Sequence, residues 1–190
     1  MRRDCAPGRS ADAVTVSRTA RGATARPPAR LLRLHRRSLA NLLVIGGSGA
    51  QRLAIARAFH AGSATGGTPF LHLDCARDEP FLWAALQHWL LHEDAYPGTT
   101  PLHGCDHGML YLDSVQYLSS STQRLLLVLA RRLESGPASA TATAGPLRLG
   151  AGNPVDLAEA VERQCFSGPL YDCLDKIRIG LDTGLRRGAA

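Results

Sequence analysis

A short apolar run that ends in a glycine-rich turn constrains the fold of this chain more than any other feature. Residues 41–45 read Asn-Leu-Leu-Val-Ile, and residues 46–50 read Gly-Gly-Ser-Gly-Ala. Apolar residues at helical spacing follow from Leu53 to His60. A strand, a glycine turn and a helix in this order are typical of a phosphate-binding loop, because backbone N–H groups at the helix N-terminus can face phosphates. An ordinary strand-to-helix turn with incidental glycines is the alternative.

The turn departs from the P-loop pattern at three positions. The pattern G-x-x-x-x-G-K-[ST] uses a lysine for the outer phosphates and a hydroxyl for Mg²⁺. Here Gln51 stands at the second glycine, Arg52 at the lysine and Leu53 at the hydroxyl. Gln51 adds a side chain where the backbone approaches phosphate closely, and arginine and lysine are not interchangeable. The candidate nucleotide-binding residues of the loop are Gly46, Gly47, Ser48, Gly49, Ala50, Gln51, Arg52 and Leu53.

Strand and helix patterns alternate along the rest of the chain. Besides the run before the loop, the sequence predicts strands at 70–75, 109–113, 147–153 and 176–181, the last in an edge position. It predicts helices at 53–60, 81–92, 123–133, 156–164 and 170–174. The expected buried face of the second helix is Phe81, Leu82, Ala85, Leu86 and Trp89. This alternation predicts an α/β fold with a mostly parallel sheet covered on both faces.

Asp113 ends the most apolar of the later strands. In P-loop proteins an aspartate at the carboxyl end of such a strand lies beside the phosphate loop and holds Mg²⁺, directly or through water. The alternative is that Asp113 only caps the element that follows it. Asp113 is therefore a candidate nucleotide-site and metal-binding residue.

The positive charge of the chain is concentrated at its start. The 190 residues carry a formal net charge of +6, and residues 1–40 hold ten arginines against Asp4 and Asp12. Without sustained apolar periodicity, residues 1–38 are expected to form a disordered basic leader. That leader is either a nucleic-acid-binding arm or a solvated stretch, including an overextended start of the reading frame. No secretory h-region and no run long enough to span a bilayer is present in the sequence.

The cysteines and histidines of the chain are its candidates for disulfides and for metal ligands. Five cysteines, odd in number and without C-x-x-C spacing, favour a reduced, cytoplasmic setting. A zinc site is one interpretation of a histidine pair at i, i+4 on a helix together with three residues of the following loop. Surface histidines and a loop cysteine explain the same residues without a metal, and we favour that explanation. The residues concerned are His88, His92, His103, Cys105 and His107.

The order of several segments resembles one family. Pro69-Phe70 followed by Asp74-Cys75-Ala76 is similar to the text P-F-x-x-x-N-C-A, and residues 108–113 are similar to G-T-L-F-L-D-E. Residues 123–129 resemble the helix that follows, and residues 170–179 resemble D-L-Y-Y-R-L-N-V and the strand beyond it. With the glycine loop, residues 41–185 thus resemble the central AAA+ domain of sigma-54-dependent transcriptional activators, the bacterial enhancer-binding proteins.

This resemblance implies a three-layer P-loop domain of the AAA+ type at residues 39–187, before a short tail at 188–190. It implies binding of ATP or ADP with Mg²⁺ at the loop residues, at Asp113 and at Asn153, which falls in the sensor I region. A turn residue before Pro154 remains the alternative for Asn153. The implied partners are sigma-54 RNA polymerase, AAA+ homologues and further copies of the chain, with no direct DNA binding outside the leader. The loop that contacts sigma-54 in the family corresponds to Ala95, Tyr96, Pro97 and Gly98.

The chain departs from the family at the positions that carry catalysis. Ser114 stands where the Walker B glutamate orients the attacking water, and a hydroxyl cannot act as a carboxylate base. The arginines that the family inserts into a neighbouring subunit fall at Ser167 and Cys173. Pro97 replaces the threonine of the sigma-54 loop, and no helical lid or helix-turn-helix follows residue 185. We therefore expect weakened ATP binding, defective hydrolysis and no catalytic residue; the alternative is a nucleotide-free pseudo-ATPase module that docks on AAA+ regulators or other proteins.

Overall fold

The computed structural model describes residues 40–63, 66–91, 108–135 and 147–181. Within these ranges five parallel strands form one sheet in the order β2-β3-β4-β1-β5. The strands are β1 (Leu42–Gly46), β2 (Phe70–Asp74), β3 (Met109–Asp113), β4 (Arg148–Asn153) and β5 (Ile177–Leu181). The predicted α/β fold with a mostly parallel sheet is confirmed, and β5 lies at the predicted edge. The predicted leader, the tail and the sigma-54 loop at Ala95, Tyr96, Pro97 and Gly98 lie outside the described residues.

Helices lie on both faces of the sheet, as a three-layer domain requires. On one face α1 (Gly49–Ala61) packs against the sheet, and on the other lie α2 (Cys75–Leu91), α3 (Ser120–Glu134) and α5 (Gly168–Leu174). The short helix α4 (Ala158–Glu162) and a 3₁₀ turn (Val115–Tyr117) complete the described elements. None of these helices has the length and apolar content that a membrane span requires.

Side chains of each strand alternate between the two layers, because successive residues of a strand point to opposite faces. In β1, Leu42 and Val44 pack on the α1 side, whereas Leu43 packs on the other side. In β3, Tyr111 belongs to the α1 side and Leu112 to the opposite core. The same alternation directs the last residue of β3, Asp113, toward α1.

Helix α2 begins at Cys75, and not at Phe81 as predicted. Asp74 caps its first turn, since its Oδ1 accepts the N–H of Ala76 at 3.1 Å. Pro80 lies inside the helix. The prediction that Phe81 belongs to the buried face is wrong, since Phe81 is 47% exposed. The buried face is formed by Leu82, Ala85 and Leu86, and Phe81 lies beside it on the helix surface. The predicted residues that do contact the core are Leu82, Ala85, Leu86 and, partly buried, Trp89.

A carboxylate joins α2 to α3. Glu79 accepts hydrogen bonds from the hydroxyl of Thr122 and from the hydroxyl of Ser119, the latter at 2.7 Å. Ser119 also caps α3, since its Oγ accepts the N–H of Thr122 at 3.3 Å. These hydrogen bonds, first from Thr122 and then from Ser119, lower the pKa of Glu79. The ionised form of Glu79 therefore stabilises the packing of the two helices.

Arg148 is an arginine in the core at the amino end of β4. Its side chain is 1% exposed, and its guanidinium carbon lies 4.2 Å from the centroid of the Phe59 ring on α1. Its Nε donates to the carbonyl of Ala40 at 2.9 Å, while Nη1 and Nη2 have no hydrogen-bond partner among the described residues. Burial lowers the pKa of Arg148 to about 10. The guanidinium is thus desolvated with little compensation.

Candidate functional site

The turn between β1 and α1 forms a glycine loop at the carboxyl edge of the sheet. Gly46 and Gly47 have φ angles of +86° and +58°, in the left-handed region that favours glycine. A Cβ added at Gly46 would lie 2.2 Å from the carbonyl oxygen of Leu181, so the strand β5 passes too close for any side chain. Ser48 then caps α1, because its Oγ accepts the N–H of Gln51 at 3.3 Å. The predicted strand, glycine turn and helix are therefore present, with the helix starting at the turn.

The side chain of Gln51 folds back over the loop. Its Oε1 accepts the N–H of Ser48 at 2.8 Å, and together the two residues form a capping box. Backbone N–H groups of such a loop are the groups that bind phosphate. A phosphate oxygen that used the N–H of Ser48 would first have to displace the amide of Gln51.

The side chain of Arg52 turns into the protein and is 4% exposed. Its Nε donates to Oδ1 of Asp113 at 2.7 Å, and its Nη2 donates to Oδ2 of Asp113 at 2.9 Å. Its Nη1 donates to the carbonyls of Gly46 at 3.1 Å and Gly47 at 2.9 Å. A guanidinium has five N–H donors, so these four hydrogen bonds leave one. The cation is held inside the loop by acceptors of the chain itself.

Asp113 is 5% exposed and lies at the end of β3, under the N-terminus of α1. The hydroxyl of Tyr111 lies 3.5 Å from its Oδ1, a long hydrogen bond. Burial, and next the charge of Asp113, raises the pKa of Tyr111, so the phenol stays protonated. On the neighbouring strand, a Cβ at Gly152 would lie 2.2 Å from the Tyr111 hydroxyl and 2.3 Å from Oδ1 of Asp113. The absence of a side chain at Gly152 makes room for the carboxylate and the phenol.

The residues present do not fit Mg²⁺ at Asp113. Magnesium coordinates carboxylate oxygens at about 2.1 Å in a nearly ideal octahedron, whereas both oxygens of Asp113 contact donors of Arg52. Leu53 occupies the position at which the pattern supplies a hydroxyl ligand. In the described ranges no group of three or more histidine, cysteine or acidic side chains is arranged to hold a metal. The assignment of Asp113 to a metal stays a prediction from the sequence, and the observed partner of Asp113 is Arg52.

Asn153 is fully buried at the end of β4. Its Oδ1 accepts the N–H of Gln116 at 3.2 Å, and its Nδ2 donates to the carbonyl of Val155 at 2.8 Å. Both ends of the amide therefore join the backbone segments that follow β3 and β4. Asn153 lies at the same edge of the sheet as Asp113, but its amide is engaged by the backbone.

Ser114, Ser167 and Cys173 stand at the positions where the resemblance places catalytic residues. Ser114 has φ 59°, an uncommon left-handed conformation for a residue other than glycine. Ser167 caps α5 through its Oγ, and its N–H donates to Oε1 of Gln123 at 2.8 Å. Cys173 is 7% exposed in the core. Of the residues considered for zinc, only His88 is among those described; the others lie outside them.

Sequence reasoning missed Tyr111 and Gly152 as parts of this site. The signal for Gly152 was present, since residues 149–152 read Leu-Gly-Ala-Gly, and alternate glycines on one face of a strand indicate a close neighbour. The pairing of Arg52 with Asp113 was also missed. An arginine at the lysine position of the loop and an aspartate at the end of an apolar strand are candidates for an ion pair, since the pattern places both at the same edge of the sheet.

Comparisons with known proteins concern the family and the fold of the chain. The family model described as the Sigma-54 interaction domain matches residues 23–180, starting inside the stretch assigned above to the leader. No curated protein matches the chain.

Three solved structures share the fold. NtrX from Brucella abortus in complex with ATP matches with a TM-score of 0.62 and 19% identity, over 81% of this chain and 34% of that one. The P-loop NTPase domain of the Sigma-54 transport activator from E. coli matches with a TM-score of 0.55 and 18% identity, over 80% of this chain and 98% of that one. The RuvB Holliday junction branch migration motor of Thermotoga maritima matches with a TM-score of 0.50 and 14% identity, over 81% and 42%. The chain thus spans about a third of the length of NtrX, and at these identities the likeness concerns the fold.

Proposed function

The chain belongs to the Sigma-54 interaction domain family, and from this we propose that it is a transcription-regulatory protein of the sigma-54-activator class with weakened ATP binding and defective hydrolysis. The proposed nucleotide is ATP or ADP, as in the NtrX complexes with ATP and with ADP. The proposed partners are sigma-54 RNA polymerase, AAA+ homologues and other copies of the chain. The AAA+ core is proposed to span residues 39–187.

The observation that carries the proposal is that the loop is closed by its own side chains. Arg52 makes four hydrogen bonds within the chain, two of them to the carboxylate of Asp113, and Gln51 occupies the N–H of Ser48. Hydrogen bonds to charged groups contribute on the order of 1.5–3 kcal/mol each, and about 1.4 kcal/mol corresponds to a tenfold change in affinity. Since a phosphate must compete with these contacts, a weaker affinity than that of an open loop follows.

Defective hydrolysis rests on the residues at three positions that carry catalysis in the family: Ser114, Ser167 and Cys173. Ser114 offers a hydroxyl where a carboxylate base is needed. Ser167 and Cys173 stand at the positions of the family's arginines, and neither a hydroxyl nor a thiol can supply a cation to a neighbouring site. An arginine inserted from a neighbour accounts for roughly 10³ to 10⁵ in rate in enzymes that use one.

The residues proposed for the weakened site surround the N-terminus of α1. A helix N-terminus attracts anions through its free N–H groups and its dipole. Asp113 and Asn153 end the strands β3 and β4 at the same edge of the sheet. The proposed set is Gly46, Gly47, Ser48, Gly49, Ala50, Gln51, Arg52, Leu53, Asp113 and Asn153.

The closed loop also favours a second function, a nucleotide-free interaction module that docks on AAA+ regulators or other proteins. The Arg52–Asp113 pair neutralises the two charges of the site without a ligand. A domain with this ion pair needs no bound nucleotide or metal to neutralise the buried charges of its loop. The two functions differ in whether a nucleotide binds at all.

Titration of the purified full chain with a fluorescent ATP analogue tests the proposal. We expect saturable binding at millimolar concentrations for the natural chain and binding about tenfold tighter for Gln51→Gly, because that change frees the N–H of Ser48. Gln164→Gly is the matched control: Gln164 is exposed, has φ 58° and lies between α4 and α5, so the affinity should not change.

Two outcomes would contradict the proposal. Without saturable binding in any variant, the nucleotide-free module is the better function, and co-purification with an intact AAA+ homologue would then support it. Release of phosphate from ATP that Asp113→Ala abolishes would show that hydrolysis has been kept.

A further inference from the structure

Asp113 has a counter-ion built into the chain, and this changes what the site can accept. The guanidinium of Arg52 meets both carboxylate oxygens, at 2.7 and 2.9 Å, and both side chains are almost fully buried. We propose that Arg52 takes the place of a divalent cation at Asp113, and that a nucleoside di- or triphosphate enters this loop without a metal. This inference rests on the nucleotide binding proposed above and assigns the chemical form of the ligand.

The pair is a packed unit and not an exposed contact. A Cβ at Gly152 would lie 2.3 Å from Oδ1 of Asp113, and one at Gly49 would lie 3.0 Å from Oδ2. The carbonyls of Gly46 and Gly47 accept hydrogen bonds from Nη1 of Arg52. Close packing on both oxygens leaves no space for a hydrated Mg²⁺ next to the carboxylate, since magnesium keeps several of its waters.

Arginine differs from lysine in the way that matters here. A lysine ammonium is a point charge that contacts one oxygen at a time, whereas a guanidinium binds a carboxylate through two parallel hydrogen bonds. A lysine at position 52 would therefore leave Asp113 an oxygen for a metal. Arg52 uses both oxygens at once.

Other acidic groups of this edge do not replace Asp113 as ligands. Asp74 is its register neighbour on β2, but its Oδ1 caps α2 at Ala76. Asp78 pairs with Arg77 at 2.9 Å, and Glu79 accepts the hydroxyls at the start of α3. Among the described residues, a metal that arrives with a nucleotide would thus meet carboxylates that already have hydrogen-bonding or ionic partners.

A nucleoside di- or triphosphate without magnesium finds groups at this loop that suit its higher negative charge. It carries more negative charge than its magnesium complex, and the N-terminus of α1 attracts negative charge. One N–H of Nη2 is left on Arg52 after its four hydrogen bonds. These groups favour the free polyphosphate over the magnesium complex.

The first experiment compares nucleotide affinity with and without metal. The full chain is titrated with a fluorescent ADP analogue in EDTA and in excess Mg²⁺, at equal ionic strength. We expect binding at least about tenfold tighter in EDTA, and Arg52→Lys should reverse the preference. Tighter binding of the natural chain in Mg²⁺ would overturn this inference and leave the weakened nucleotide site intact, whereas no saturable binding in either buffer would overturn both.

The second experiment uses the metal alone and needs no nucleotide. We expect that Mg²⁺ or Mn²⁺ does not shift the unfolding temperature of the natural chain, while Arg52→Ala gains stability from the metal because Asp113 has lost its counter-ion. The gain should disappear in Arg52→Ala/Asp113→Asn. If Arg52→Ala folds only in the presence of the metal, that dependence is itself the expected result. A natural chain that Mg²⁺ stabilises, and that loses this response in Asp113→Asn, would refute the role of Arg52.

Discussion

Removing one member of the Arg52–Asp113 pair should cost far more stability than removing both. Arg52→Met leaves a buried carboxylate that keeps, among the described residues, the long hydrogen bond from the Tyr111 hydroxyl at 3.5 Å. Asp113→Leu leaves a buried guanidinium whose remaining acceptors, in the part of the chain that the structure describes, are the carbonyls of Gly46 and Gly47. Leucine has the branching of aspartate and methionine the length of the arginine stem, so the double variant replaces the pair with apolar groups.

The size of the effect follows from the burial of both side chains, 4% and 5% exposed. Breaking a buried ion pair from one side costs about 3–5 kcal/mol, whereas replacing it with apolar groups of similar volume is often neutral. For a domain of this size, about 1 kcal/mol lowers the unfolding temperature by roughly 2–4 °C. Each single variant should therefore unfold about 10 °C lower, and Arg52→Met/Asp113→Leu close to the natural chain.

Urea unfolding followed by circular dichroism measures the four free energies of this cycle. Glu159 on α4 and Arg163, the C-cap residue of that helix, form an exposed i, i+4 pair and serve as the control, with an expected coupling of about 0.3–0.5 kcal/mol. A coupling energy for Arg52 and Asp113 below about 1 kcal/mol, or a double variant as unstable as the two single variants combined, would refute the reasoning.

Three further outcomes are expected. Arg148→Met should raise the free energy of unfolding by about 1 kcal/mol or more, measured by urea unfolding, because it removes a desolvated charge. The control Arg124→Met, at an exposed position, should change the free energy of unfolding by less than about 0.5 kcal/mol. A marked loss of stability in Arg148→Met would mean that the guanidinium has a partner. Because the pKa of Glu79 is lowered in the folded protein, its contribution to stability is present above the unfolded pKa of about 4.3 and is lost as the pH falls through the folded pKa. Between pH 7 and pH 3 the natural chain should therefore lose more stability than Glu79→Gln. Equal losses would contradict this. Gly152→Ala should cost at least about 2 kcal/mol through overlap with its neighbours. Gly180→Ala, whose added Cβ has no atom of the described residues within 4 Å, should be neutral or stabilising.

Periodicity was sufficient to predict the sheet and most of the helices. Strand β3 begins and ends where its apolar run does, and the glycines before α1 identified the turn. The start of α2 could not be read in the same way, since Pro80 has the sequence signature of a boundary although Asp74 caps the helix earlier. Local signals thus determine where strands lie, while a cap formed by the previous strand decides where a helix begins.

The composition of the site was predictable, but the arrangement of its charges was not. The glycine loop and Asp113 were identified from spacing, and the structure brings them together at one edge of the sheet. Whether Arg52 points to solvent or inward depends on a carboxylate 61 positions away and on the space above Gly152. Such information lies in the packing of three strands and a helix, which no single stretch of sequence contains.

The counter-ion of Asp113 is covalently part of the chain, and this affects the link between stability and the cell's supply of ligands. A bound ligand stabilises a protein by an amount that grows with its free concentration, by RT ln(1 + [L]/Kd). Arg52 is always present at the same effective concentration, 2.7 Å from its partner atom. The part of the folding free energy that depends on neutralising Asp113 is therefore constant, and it stays the same whether adenine nucleotides and magnesium are abundant or depleted.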